Sequence, residues 1–217
     1  MGERAALRRL LLGAVLIKLY PSVRMSSSTV LWTIGHSNHD LGSFIGLLGQ
    51  EGIEFVVDVR SYPYSRHAAH FNREDLQAAL RSHTIRYFFL GGELGGRPSR
   101  PEHYDAEGHA LYGPMAREPS FERALARVLE GAKKHRIALV CSEGDPRDCH
   151  RRLLVGKVLT ERGAELRHIL RDGSVVVERS VDLEASNAPT LFGEDQRQWR
   201  STRSVSHRRR LSASSVG

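Results

Sequence analysis

The residues best suited to chemistry crowd into one stretch, 137–159, which reads IALVCSEGDPRDCHRRLLVGKVL. An apolar run ends in Cys141, a polar loop carries Glu143, and Cys149, His150 and Arg151 open the helically spaced segment after it. A thiol at a strand end that faces a helix N-terminus can have a lowered pKa and act as a nucleophile. The other fate of such a residue is an inert core cysteine. His36 can serve as general base or anion donor, or as a hydrogen-bonded structural imidazole. Asp58 and Arg60 can do acid–base and binding work, or pair with each other as neighbouring opposite charges do. Arg97 and Arg151 have the planar fork that grips phosphate or carboxylate, unless they are simply solvated. Glu143 is expected to fold into a shared pocket near Arg60 or Arg151, where it would orient a cation or accept a hydrogen bond from a ligand.

Two alternative chemistries weigh less. Cys141 and Arg147 have the C-x5-R spacing of thiol-phosphatase and rhodanese loops, in which N–H groups cradle an anion. Glu143 and Asp145 would repel a phosphate there, and Pro146 lacks an N–H. Cys141, Cys149, His150 and His36 offer soft donors, but without the paired-cysteine spacing of structural zinc sites, so no metal is expected.

These groups need a frame that brings them to one edge. Apolar runs at 30–34, 53–59, 85–90, 137–141 and 166–170 read as strands, several of them too uniformly apolar for a one-sided sheet. Helical spacing follows at 41–48 (capped by Asn38 or Asp40), through Leu80 behind an Asn72 cap, from Phe121 to Leu129, and over 149–162. Asp172-Gly173 marks a terminal hairpin. The Gly-rich segment 91–118, with Tyr104 and Tyr112, reads as a long functional loop. Alternating strands and helices predict one three-layer α/β domain, Rossmann-like, with a mostly parallel sheet of five or six strands over 28–180. Ligands bind at the carboxyl ends of such strands, which is where His36, Asp58, Arg60 and Cys141 fall.

The net charge of +7 misleads about that domain. Residues 1–24 carry five Lys/Arg and one Glu, and residues 196–217 carry six Arg and no acid, so 25–195 amounts to −3. Attraction to nucleic acid is therefore expected from the ends of the chain. Residues 1–27 read as an extension, either disordered or upstream of a true start at Met25, with an apolar run too short to span a bilayer. Residues 181–217 read as an Arg/Ser-rich disordered tail. Two cysteines form no disulfide framework, and a cytoplasmic protein without membrane attachment is expected.

TIGHSN at 33–38, VDVRSYP at 57–63, FN at 71–72, LGGR at 94–97 and C-x-E-x-x-P-x-x-C-H-R at 141–151 together resemble the domain-of-unknown-function family DUF488, over about residues 30–170. The resemblance adds Asn72, Gly95 and Gly96 to the marked positions and supports Cys149, His150 and Arg151 beside Arg60 and Arg97 as ligand-binding residues. Because the family is uncharacterised, it supplies no reaction and no cofactor. The residues themselves point to an enzyme, a hydrolase or transferase with Cys141 as nucleophile, binding an anionic small molecule or a nucleic-acid fragment. The alternative is a non-catalytic nucleic-acid adaptor that uses the basic tail, with Leu191-Phe192 in a docking peptide.

Overall fold

The structure is a computed structural model that describes residues 29–179 and 199–206. The proposed upstream extension and the Leu191-Phe192 peptide lie outside the described residues.

Six strands form one sheet in the order β3-β2-β4-β1-β5-β6. They are β1 (Val30–Gly35), β2 (Phe55–Asp58), β3 (Arg86–Phe89), β4 (Ile137–Cys141), β5 (Glu165–Ile169) and β6 (Val175–Val177). All neighbours pair in parallel except β5 and β6, the hairpin expected at Asp172-Gly173, where Gly173 takes a positive φ of 86°. The central strand β4 is buried at every position. That explains its unbroken apolar run, since it has no solvent face to fill with polar residues.

Helices cover both faces. On one side lie α1 (Leu41–Gln50) and α2 (Arg73–Ser82), packing Phe44, Leu48, Leu76 and Leu80 against Ile34, Val56 and Val140. Asp40 caps α1 by accepting from Ser43 N at 2.8 Å, and Gly52 follows its end at a φ of 58°. On the other side, α5 (Pro119–Ala132) buries Phe121, Leu125 and Val128 against Val57 and Leu139. Its proline sits in the first turn, where a missing N–H costs nothing. The helix after β4 begins as a π turn over Arg151–Gly156 and tightens into α6 (Lys157–Glu161). The sheet is thus the middle layer of a three-layer α/β fold, as the alternation predicts.

Three local expectations are revised. The segment 91–118 is not a plain loop, because it holds two short helices, α3 (Gly91–Leu94) and α4 (Tyr112–Ala116), and a 3₁₀ turn, Pro101–His103. Asn72 precedes α2 but does not cap it through its side chain; its Oδ1 accepts instead from Ser65 N at 2.8 Å. Residues 199–206, expected to belong to a disordered tail, dock on the domain, with Arg200 bridging to Leu111. Composition hid this because the docking uses backbone bonds, Trp199 and the polar side chains of Arg200 and Ser201 rather than an apolar stripe. Among the described residues, no helix is long and apolar enough to cross a membrane.

Candidate functional site

Strand order decides what meets at the carboxyl edge. The chain visits β1, then β2 and β3 to one side, and returns to place β4 between β1 and β2. The ends of β1, β4 and β2 are therefore neighbours, at the kind of reversal where open α/β sheets bind ligands. His36 N donates to Cys141 O at 2.9 Å, Ser37 N to Ser142 O at 2.9 Å, and Val59 N to Val140 O at 3.1 Å, stitching the three exits together.

At this edge opens a cavity of about 180 Å³, with Cys141, Cys149, His150, Tyr112, Arg97 and Glu143 among its lining residues. Cys141 is 5% exposed. Its Sγ lies 3.6 Å from His150 Nδ1, and His150 Nε2 lies 2.9 Å from the carbonyl oxygen of Val59. A carbonyl can only accept, so Nε2 carries the hydrogen and Nδ1 is left with its lone pair toward the thiol. The loop turns so that the nine-residue separation between Cys141 and His150 becomes side-chain contact.

The Cys141 thiol is lowered from its ordinary 9.0 to about 7. The leading cause is a hydrogen bond from the Cys149 thiol; burial opposes it, and the Arg151 charge and the N–H groups of Glu143 and Ser142 assist. Cys149 moves the other way, pushed up by burial and by the neighbouring Cys141 sulfur. Two like groups side by side thus divide their roles: Cys141 ionises and Cys149 stays a thiol that donates to it.

Other expected residues serve the frame. Asp58, fully buried, accepts from Arg60 Nε at 2.9 Å, Arg60 Nη2 at 2.6 Å, Arg60 N at 3.0 Å and the Tyr87 hydroxyl at 2.7 Å. Burial works against the Arg60 charge, but Asp58 more than offsets it and the Arg60 pKa is raised. Arg151 is fully buried and donates to the carbonyls of Glu143 and Gly144 and to Thr33 Oγ1. It therefore shapes the loop behind the thiol. His36 stacks on Phe71 with ring centroids 4.5 Å apart and does not line the cavity. Burial, then the Arg60 charge, lowers His36 to about 4, so it is neutral at pH 7. Glu143 is exposed at the cavity rim, and it is its backbone carbonyl that meets Arg151. The expected pairing of its carboxylate with Arg60 or Arg151 is absent from the described hydrogen bonds and ion pairs. Arg147 forks onto Asp145 instead of toward Cys141, so the C-x5-R cradle does not form.

Gly95 and Gly96 work by close approach. A Cβ at Gly95 would fall 2.3 Å from both Gly91 O and Ser61 Oγ, and one at Gly96 would fall 2.6–2.8 Å from the His150 ring. Next to them Arg97 N donates to Ser61 Oγ at 2.9 Å, and the Arg97 side chain reaches solvent at the cavity. This shelf presses the imidazole onto its Val59 contact. Gly96→Ala is expected to leave the fold in place and displace His150, cutting alkylation of Cys141 by roughly tenfold or more, the scale of a misplaced base. Unchanged alkylation with a native circular-dichroism spectrum would show that the shelf does not position the ring.

Cys141, Cys149 and His150 also place three soft donor atoms within 4.8 Å of one another. They are the residues that a thiophilic cation would use.

The sequence model of the family described as "Domain of unknown function DUF488" matches residues 40–158, 119 of the 217 residues. The chain belongs to that family. The matched span includes Arg97, Tyr112, Cys141, Glu143, Cys149 and His150 at the cavity, whereas TIGHSN and the docked segment 199–206 fall outside it. No curated protein and no solved structure gives a significant match. Sequence reasoning missed Ser201, Thr202, Arg203 and Val205, which also line the cavity. Trp199, a large aromatic in an Arg-rich polar stretch, was the available signal.

Proposed function

We propose that this DUF488 protein is a cysteine-dependent hydrolase or transferase acting on a small ligand with an anionic group. The observation that carries the reading is the Cys141–His150 contact of 3.6 Å at a cavity wall, with His150 oriented by Val59 O. Nucleophile, base and orienting group are the three parts of an activated thiol. His150 Nδ1 takes the Cys141 proton as Sγ attacks an electrophilic carbon or phosphorus. The bond from Sγ to that centre forms, the bond to the leaving group breaks, and the leaving group departs with the proton from Nδ1. Water or an acceptor hydroxyl then gives its proton to His150 and displaces Sγ. The N–H groups of Ser142 and Glu143 favour negative charge at the sulfur and so hold the nucleophile in its ionised form.

Iodoacetamide labelling across a pH series tests this. The thiolate is the attacking species, so labelling of Cys141 should rise with pH through a midpoint about 7 and fall below it. Cys149→Ala removes the leading cause of the lowered value. Its midpoint should move upward, slowing labelling at pH 7 by roughly tenfold per unit of movement while sparing it at high pH. A Cys141 that remains unmodified at pH 7 in the native protein would end the nucleophile reading.

The 4.8 Å grouping favours one second reading, a zinc centre that Cys141, Cys149 and His150 would hold. Tight zinc binding by the purified chain that is lost in both Cys149→Ala and His150→Ala would support it over a free thiol.

A further inference from the structure

The wall of the cavity opposite the domain's own loops comes from a segment outside the family match. Residues 199–206 are fastened along 104–112 and to the π turn. Tyr112 N donates to Trp199 O at 2.9 Å, Ser201 N to Ala110 O at 2.9 Å, and Val205 N to Gly108 O at 2.9 Å. Ser201, only 4% exposed, accepts from Ala110 N at 2.9 Å and donates to Arg203 O at 2.7 Å, both through Oγ. The Trp199 indole donates to Leu153 O at 2.7 Å and meets Tyr112 edge-on. Arg200 pairs with Asp105. So many directed bonds over eight residues define one seating, and in that seating Ser201, Thr202, Arg203 and Val205 line the cavity that contains Cys141.

Charge shows what the strap contributes. Without it, the lining offers Arg97 against Glu143 and Asp148, because Arg60 is neutralised by Asp58. Apart from Cys141, that rim sums to −1 and would turn an anion away. Arg203 balances it. Its side chain is 75% exposed and lies 3.9 Å from Asp148, a contact loose enough for a ligand to replace. Two exposed guanidinium groups, Arg97 and Arg203, then line one small cavity, the arrangement that grips a phosphate or carboxylate. The two acids remain for a donor group on the same ligand.

We propose that residues 199–206 complete the binding site of this chain and that Arg203 is its specificity-determining residue, holding the anionic group of the ligand together with Arg97. This rests on the cysteine-enzyme reading for the role of the ligand, but not for its binding. Two measurements on the full chain test it. The first compares iodoacetate with iodoacetamide, reagents of similar size that alkylate Sγ with loss of iodide and differ in charge. The ratio of their rates at Cys141 should fall roughly 3- to 10-fold in Arg203→Ala, and further in Arg203→Glu, as expected for losing one nearby charge in a partly solvated site. The second is calorimetric titration with inorganic pyrophosphate, which needs no reactive thiol. Its affinity should fall about tenfold or more in Arg203→Ala, the scale of one lost charge-assisted pair. Arg203 is largely exposed, so both variants should melt like the parent. A Cys141 that neither reagent labels would sink the nucleophile reading and leave the titration to decide on Arg203. An affinity for pyrophosphate that is absent in the parent or unchanged in Arg203→Ala would overturn the strap proposal even if the thiol is reactive.

Discussion

Asp58→Ala is expected to destabilise the protein by about 3–5 kcal/mol, the usual cost of removing one partner from a buried ion pair. Asp58 has no exposed surface and Arg60 only 5%, so the guanidinium left behind would be poorly solvated. It would keep its bond to Phe71 O at 2.9 Å and lose three donor–acceptor contacts to the carboxylate, and the Arg60 backbone N–H would lose its acceptor as well. The Tyr87 hydroxyl, whose ionisation is pushed up by burial and then by the Asp58 charge, would lose its acceptor too. Urea unfolding followed by circular dichroism reads the effect. Asp58→Asn keeps an acceptor and removes the charge, so its loss should be intermediate. A cost under about 1 kcal/mol for the alanine variant would mean that water reaches Arg60 and that the pair is not a closed unit.

Arg151→Ala should cost a similar amount, about 3–5 kcal/mol from three lost charge-assisted bonds, and should also damage the site. Arg151 joins Thr33 on β1 to the carbonyls of Glu143 and Gly144, so it holds the loop that presents Ser142 and Glu143 N–H groups to the Cys141 sulfur. Its charge also helps to lower the Cys141 pKa. Alkylation at pH 7 should therefore slow, and its midpoint should shift to higher pH. Arg151→Lys retains the charge without the fork, so it should recover part of the titration shift but less of the stability. Thermal melting and the labelling profile separate the two outcomes. An alanine variant that melts lower but titrates like the parent would make Arg151 a fold residue with no bearing on the thiol.

Arg151 and Arg60 show what residue type alone leaves out: Arg151 is turned to the loop carbonyls, and Arg60 lines the cavity with its charge paired to Asp58. Both lie in motifs that resemble family positions, and an arginine near a strand end is a fair candidate for a ligand clamp. Their partners are set by register and burial, which no local pattern encodes. Asp58 and Arg60 are two residues apart, close enough for the ion pair to be weighed from sequence, but only the parallel pairing of β2 with β3 brings the Tyr87 hydroxyl to the same carboxylate. Glu143 fails its expected pairing for a related reason. The loop does fold back onto Arg151, but by its carbonyl, and the carboxylate is left at the rim.

By itself, the sequence determined the layer architecture and which strand ends meet at the carboxyl edge of the sheet. Strands buried on both faces must be apolar throughout, helices packed on one face must repeat near 3.6 residues, and caps and positive-φ glycines mark the joins. Those constraints are local, so β1 to β6, the two helical layers and the carboxyl-edge gathering of Cys141, Asp58 and His36 were legible. What only the tertiary structure decided is non-local. The Cys141–His150 contact depends on a loop held by Arg151 and a ring seated by Gly96. The lowered Cys141 pKa depends on Cys149 donating from the start of the next helical segment. The strap at 199–206 depends on backbone hydrogen bonds to 108–112, which any sequence can make, and on Trp199, Arg200 and Ser201, whose partners no local pattern encodes.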